Sequence, residues 1–132
     1  NDCQECVRKL QMQTGLLFTL PTEAQWEYAA KKNGDANWIY AGNNCPEKVA
    51  NFKESSKKGS IEEVGSKEPN GLELYDMSGN VSEWCADGDD NRKHIRGGSY
   101  MSTCDEITVS YSDVASVDNK SNTIGLRLVL IQ

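Results

Sequence analysis

Residues 71–84 read Gly-Leu-Glu-Leu-Tyr-Asp-Met-Ser-Gly-Asn-Val-Ser-Glu-Trp. Ser78-Gly79-Asn80 is a turn signal inside a stretch denser in hydrophobes than the chain before it. Asp76 and Glu83 stand seven residues apart on either side of that turn. A turn of this kind lets backbone carbonyls converge, and oxygen donors of both sorts suit a hard cation. The same two carboxylates could instead cap backbone amides, and the residues alone leave both readings open. Working outward, His94–Tyr100 and Ile124–Ile131 read as strands. In the second, Leu126, Leu128 and Leu130 face one way and Arg127, Val129 and Ile131 the other. Upstream, residues 34–71 are polar and turn-rich with isolated hydrophobes (Trp38, Tyr40, Val49, Phe52, Val64), so side-chain anchors rather than ladders should hold them.

Further upstream, Pro21-Thr22 starts a helix with Thr22 as N-cap and Gln25 as its capping-box partner. Trp26, Ala29 and Ala30 form its inward face, and Asn33-Gly34 is its stop signal. Residues 1–14 read as a helix capped by Asp2 and closed by Gly15. Cys3, Cys6, Val7 and Leu10 make its apolar stripe. The Cys3-x-x-Cys6 spacing is read as two small buried residues, since no second such pair completes a zinc site.

The chain has 132 residues, which fits one domain. Leu, Ile, Val and Phe number 25, about 19% of the chain, at the edge where composition starts to favour disorder. Three Trp, five Tyr and eleven Gly point instead to a compact, loop-rich fold with an aromatic core. No apolar run approaches the ~18–20 residues of a membrane span. With 20 acidic against 14 basic residues, the surface is not that of a nucleic-acid binder. One histidine, His94, excludes a multi-histidine metal site, and five cysteines leave at least one thiol unpaired in a monomer. The first residues, Asn1-Asp2-Cys3-Gln4, carry no signal segment and no initiator Met. They read as starting inside a longer frame or after a cleavage, so cytoplasmic and cell-surface placements both stay open.

Four segments together resemble one family. They are residues 20–30 (LPTEAQWEYAA), 71–84 (GLELYDMSGNVSEW), 96–100 (RGGSY) and 124–129 (IGLRLV). They resemble the formylglycine-generating enzyme, or sulfatase-modifying factor, family, in the family's order and spacing, and the wording is similar to paralogues of gut Bacteroidetes. The resemblance implies an α+β, C-type-lectin-like fold: two helices, short antiparallel strands and much irregular loop. It implies a single domain over 1–132 that lacks the family's N-terminal strands. The Ile124–Ile131 strand, which those strands would normally pair, is then expected to be an open edge.

Active members of the family resemble copper oxidases that convert a substrate cysteine to formylglycine with two thiolates, the soft ligands Cu(I) requires. Aligned without gaps from Gly97 to Arg127, the two thiolate positions are Ile107 and Ser112. Cys104 lies three residues off register. Copper is therefore not expected, and the chain reads as a non-catalytic relative. The family's Ca²⁺ site maps onto the Asp76 and Glu83 side chains and the Gly79 and Val81 carbonyls. A second family Ca²⁺ site would use Asn51 and the Phe52 carbonyl with a later Asp that this chain lacks. Trp26, Trp38 and Trp84 read as core anchors, Arg96 and Arg127 as partners of buried carboxylates or carbonyls, and Cys85 as buried.

Residues 101–122 (MSTCDEITVSYSDVASVDNKSN) match the family least and lie between two well-matched strands. A kept frame around a drifted segment suits a domain that binds a protein or small ligand. Candidate binding residues are Ser102, Thr103, Asp105, Glu106, Thr108, Ser110, Ser112 and Asp113. Variable proteins of diversity-generating retroelements are one known use of such a scaffold. The alternative is a family oxidoreductase acting on protein cysteine through Cys104, with Cys85 as second thiol. A third reading is a homo-oligomer formed through the C-terminal strand.

Overall fold

Helix α1 spans Asp2–Thr14 and ends where the Gly15 amide donates to the Gln11 carbonyl at 2.9 Å. The computed structural model that shows this describes residues 2–31, 39–54, 61–119, 121 and 123–131. The expected apolar stripe of α1 is only partly buried. Val7 is covered and Leu10 half-covered, but Cys6 is exposed; the main neighbour of the helix among the described elements is the short strand β1 (Leu17–Thr19). The side chain of Cys3 lies outside the described residues.

Helix α2 (Glu23–Ala30) starts as its sequence dictates. Thr22 Oγ1 accepts from the Gln25 amide at 3.1 Å, and Gln25 Oε1 accepts from the Thr22 amide at 2.9 Å. Trp26 and Ala30 are buried and Ala29 packs beside them. The Asn33-Gly34 signal and Trp38 lie outside the described residues. Among its described residues the turn-rich region holds one four-residue helix, α3 (Pro46–Val49), with proline in its first turn. Asn70 shows how such a region is anchored. Its Oδ1 accepts from the Leu72 and Leu74 amides, and its Nδ2 donates to the Ala29 carbonyl at 2.8 Å.

Four strands make the main sheet: β2 (Ser82–Gly88), β3 (Arg92–Arg96), β4 (Ser112–Ser116) and β5 (Ile124–Gly125), in spatial order β4-β3-β2-β5. A single 3₁₀ turn, Cys104–Glu106, precedes β4. The expected Ile124–Ile131 strand divides. Ile124 and Gly125 pair in parallel with Ser82 and Glu83, residues 126–128 leave the ladder, and β6 (Val129–Ile131) pairs antiparallel with β1. The expectation of an unpaired C-terminal strand is thereby corrected, since Leu17, Phe18 and Thr19 face Ile131, Leu130 and Val129. At the break, Arg127 turns inward to the buried Glu83 carboxylate.

Two small clusters form the core. Trp26, Ala30, Ala41, Met77, Cys85 and Val109 make one; Tyr40, Val49, Ala50, Phe52 and Ile107 make the other. Buried with them are polar residues, among them Asn51, Asn70, Ser78, Asn80, Glu83 and Arg96. The lean aliphatic count is thus offset by polar groups that find partners inside. No helix among the described residues is long and apolar enough to cross a membrane.

Candidate functional site

The Asp76–Glu83 loop folds around its turn. Gly79 (φ +77°) lies so close to Asn51 that a Cβ there would sit 2.4 Å from the Asn51 carbonyl oxygen. The Asn51 side-chain amide donates to Asn80 Oδ1 at 3.2 Å, and the Asn80 amide donates to the Asn51 carbonyl at 2.7 Å. The stretches that would carry the family's two cation sites are therefore bonded directly to each other. Among the described residues, Glu73, Asp76 and Asn80 are the non-glycine positions with left-handed backbone, and all three line one cavity of about 400 Å³. Val81, Glu83 and Arg127 line it too.

Glu83 is buried, and its carboxylate is a junction. Oε1 accepts from Trp26 Nε1 at 3.0 Å and from Arg127 Nε at 2.8 Å; Oε2 accepts from Arg127 Nη2 at 3.1 Å. Arg127 Nη2 also donates to the Tyr75 carbonyl at 2.6 Å. Burial works against the Arg127 charge, but the bonds and field of Glu83 outweigh it and raise the guanidinium above its ordinary range. Asp76 Oδ2 accepts from the Gly65 amide at 2.8 Å.

A carboxylate offers about four lone-pair positions, so Glu83 keeps one on Oε2 after these three bonds. Asp76 lines the same cavity, so a hard cation there would meet two carboxylates, one of them already paired with Arg127, and would need backbone carbonyls besides. Among the described residues no group of three or more His, Cys, Asp and Glu side chains converges, so any such site would rest on the Gly79 and Val81 carbonyls.

A second junction ties α2 to β3 and β4 and gives Arg96 the carboxylate and carbonyl partners expected of it, though the sequence reading did not name the two glutamates. Arg96 is buried; its Nε donates to Glu23 Oε1 at 2.9 Å, and its Nη1 to Glu27 Oε1 at 2.7 Å and the Val109 carbonyl at 3.1 Å. Ser112 Oγ donates to Glu23 Oε1, and His94 Nδ1 lies 3.2 Å from Glu23 Oε2. Burial raises both glutamates, but Ser112 and Arg96 outweigh it at Glu23, as Arg96 and Lys31 do at Glu27, holding both below the usual carboxylate range. The available signal was the i, i+4 spacing of Glu23 and Glu27 on a helix with a buried tryptophan between them.

The two thiolate positions of the alignment are far apart in character. Ile107 is fully buried against Tyr40, Val49, Ala50 and Phe52, whereas Ser112 is exposed and bonded to Glu23. Cys104 packs half-buried on the Ile107 cluster and hydrogen-bonds Tyr40. Cys85 belongs to the other cluster, and burial, reinforced by Glu23, pushes its thiol up to about 12. Cys104 and Cys85 are thus not gathered into one site.

The eight candidate binding residues also divide. Ser102 Oγ accepts from the Ser99 amide, and the Ser102 carbonyl accepts from the Lys53 amide, both at 2.9 Å. Thr103 and Glu106 cap the 3₁₀ turn reciprocally, and the Thr108 carbonyl accepts from the Tyr111 amide at 3.2 Å. Ser112 serves Glu23, and Asp113 Oδ1 accepts from the Val114 amide at 2.8 Å. Asp105 and Ser110 are simply exposed. The segment is therefore a braced surface, and the outward groups on it are chiefly Asp105, Ser110 and Asp113.

Helices set against a short curled sheet, with long braced loops between, define a C-type-lectin-like domain of the formylglycine-generating-enzyme type. The chain belongs to the sulfatase-modifying factor enzyme 1-like domain family, whose model matches residues 2–131. It is similar to "Chaperone protein LppX" of Paenibacillus barcinonensis, 32% identical over 136 residues, covering 85% of this chain and 49% of the relative. It is also similar to the formylglycine-generating enzyme of Streptomyces coelicolor, 29% identical over 142 residues, covering 82% and 45%. Among solved structures, Treponema denticola variable protein 1 superposes with a TM-score of 0.75 at 31% identity, covering 86% of this chain and 47% of that one. The chain spans about half the length of the curated relatives it matches.

Proposed function

We propose that this chain is a non-catalytic binding domain on the family scaffold, with residues 101–122 as its display surface. The observation that carries the reading is the fate of the two thiolate positions: Ile107 is core and Ser112 is a hydrogen-bond donor to Glu23. A Cu(I) centre needs two soft ligands that face each other, and the nearest thiol, Cys104, has Cys85 in a different cluster. The likeness to a Treponema variable protein supports a scaffold that keeps its frame while its display segment drifts. The ligand is a protein or a small molecule. A retroelement origin predicts a reverse-transcriptase gene nearby with a template repeat matching the codons of the display segment.

The deciding experiment screens the purified chain against glycan and peptide arrays beside an Asp105→Ala/Ser110→Ala variant. Hits lost in the variant support the reading. Hits that persist unchanged place recognition elsewhere. Stoichiometric Cu(I) uptake that falls in Cys104→Ala would favour the oxidoreductase instead. A Ca²⁺ held by Asp76, Glu83 and the Gly79 and Val81 carbonyls belongs to the same proposal, as a brace for the frame rather than a reactant.

A further inference from the structure

The outer edge of β4 belongs to no ladder among the described residues, since β4 pairs only with β3. Its register fixes which backbone groups are outward. Ile95 faces Asp113 and Lys93 faces Ala115, and the Val117 amide donates to the Asn91 carbonyl at 2.9 Å. In an antiparallel pair, hydrogen-bonded residues alternate. The odd-numbered residues of β4 therefore bond to β3, and the amides and carbonyls of Ser112, Val114 and Ser116 point away from the sheet. One outward amide, that of Val114, is covered by the Asp113 side chain, and one outward carbonyl, that of Ser116, accepts from the Asn119 amide. Four of the five β4 residues are exposed, and Val114 keeps 43% of its surface.

We propose that this edge pairs with the same edge of a second copy, antiparallel and centred on Val114. The strand reads Ser-Asp-Val-Ala-Ser, and this sequence is complementary to itself when reversed. Val114 then lies opposite the second copy's Val114, Ser112 opposite Ser116, and Asp113 opposite Ala115. All the outward groups fall in hydrogen-bonded pairs, because the centre is an even-numbered residue. The one charge in the strand meets a methyl group rather than its own copy, so the like-charge penalty of facing carboxylates is avoided. The exposed valines gain a cross-strand partner. The Ser116 carbonyl has a second lone pair for the new bond. Asp113 must release the Val114 amide, which makes the association weak and reversible and keeps the edge closed to casual pairing. The result joins two four-stranded sheets into one and takes residues 112–116 of each display segment into the seam. A ligand of that segment that covers β4 would compete with the pairing.

The test is light scattering on the reduced, full chain over a hundredfold concentration range. The weight-average mass should climb from 14.6 kDa toward twice that value, and the Ser112 and Ser116 amides should exchange more slowly at the high end. Val114→Pro removes an outward amide without touching the β3 ladder, and Val114→Lys sets two ammonium groups face to face. Each should abolish the rise while circular dichroism stays unchanged, and Asp113→Asn should shift it to lower concentration. A constant mass of 14.6 kDa throughout, or a rise that survives both Val114 variants, overturns the proposal. Should Val114→Pro fail to fold, Val114→Lys decides alone.

Discussion

Arg127 and Glu83, 44 residues apart in sequence, meet through two charge-assisted hydrogen bonds, Nε to Oε1 at 2.8 Å and Nη2 to Oε2 at 3.1 Å. The pair closes the C-terminal segment onto the 71–84 loop. Trp26 of α2 is drawn into the same carboxylate, so one buried anion gathers three distant stretches.

Removing the cation should therefore cost more than removing a surface pair. Arg127→Ala leaves the buried Glu83 facing only the Trp26 indole, and the loss should be about 3–5 kcal/mol. Glu83→Gln in the Arg127→Ala background should recover part of it, because the uncompensated charge is gone. Urea unfolding of the four-member cycle measures the coupling. Additive losses would show that the two side chains do not depend on each other.

Acid should weaken the second junction. Glu23 and Glu27 are held below the ordinary glutamate value of 4.5 in the folded chain. A depressed carboxylate contributes stability that is fully present above its unfolded value and is lost as pH falls through its folded value. Stability should thus hold from neutrality to just above 4.5, then decline. In Arg96→Ala, stability at neutral pH should be lower and the acid decline shallower, because burial, which favours the protonated carboxyls, remains while the guanidinium that opposed it is gone. Thermal melts at stepped pH read both curves; an acid limb of equal steepness in the two proteins would contradict the assignment.

Calcium is checked by thermal shift after chelation. Binding to the folded state alone raises stability by about 2.7 kcal/mol at a hundredfold excess over Kd, which is several degrees for a domain of this size. Asp76→Ala should remove the shift without removing the Arg127–Glu83 pair. A melt indifferent to both chelator and added Ca²⁺ would end the cation proposal.

Thiol labelling should rank the cysteines by burial and by thiol acidity. At mildly alkaline pH, Cys6 should react at once, because it is exposed. Cys85 should stay unlabelled until the chain unfolds, because it is buried and its thiol is pushed up to about 12. Mass spectrometry of native and denatured samples distinguishes them, and rapid native labelling of Cys85 would contradict the core placement.

Gly98 gives a purely steric test. Its φ is +67°, and an added Cβ would lie 2.5 Å from the Glu106 carbonyl oxygen and 2.7 Å from Ile107 Cγ2. Gly98→Ala should therefore cost more than the roughly 1 kcal/mol of an ordinary left-handed substitution, read as a lowered unfolding midpoint.

What the amino-acid order determined by itself was local or motif-like. The Thr22–Gln25 capping box, the Gly15 stop and the family resemblance were legible because each depends on a few neighbouring residues or on fixed spacing. Asp76 and Glu83 could be named as a loop pair for the same reason. Tertiary structure alone decided who answers each charge. Nothing in the spacing says that Glu83 faces Arg127, that Arg96 reaches Glu23 and Glu27, or that Ser112 turns to Glu23 rather than outward. It likewise split the Ile124–Ile131 alternation into two strands, since the first half meets β2 and the second half meets β1, partners that lie apart in sequence. Periodicity records which face a residue could present. Burying a charge forces a choice of partner, and that partner is found in space rather than along the chain.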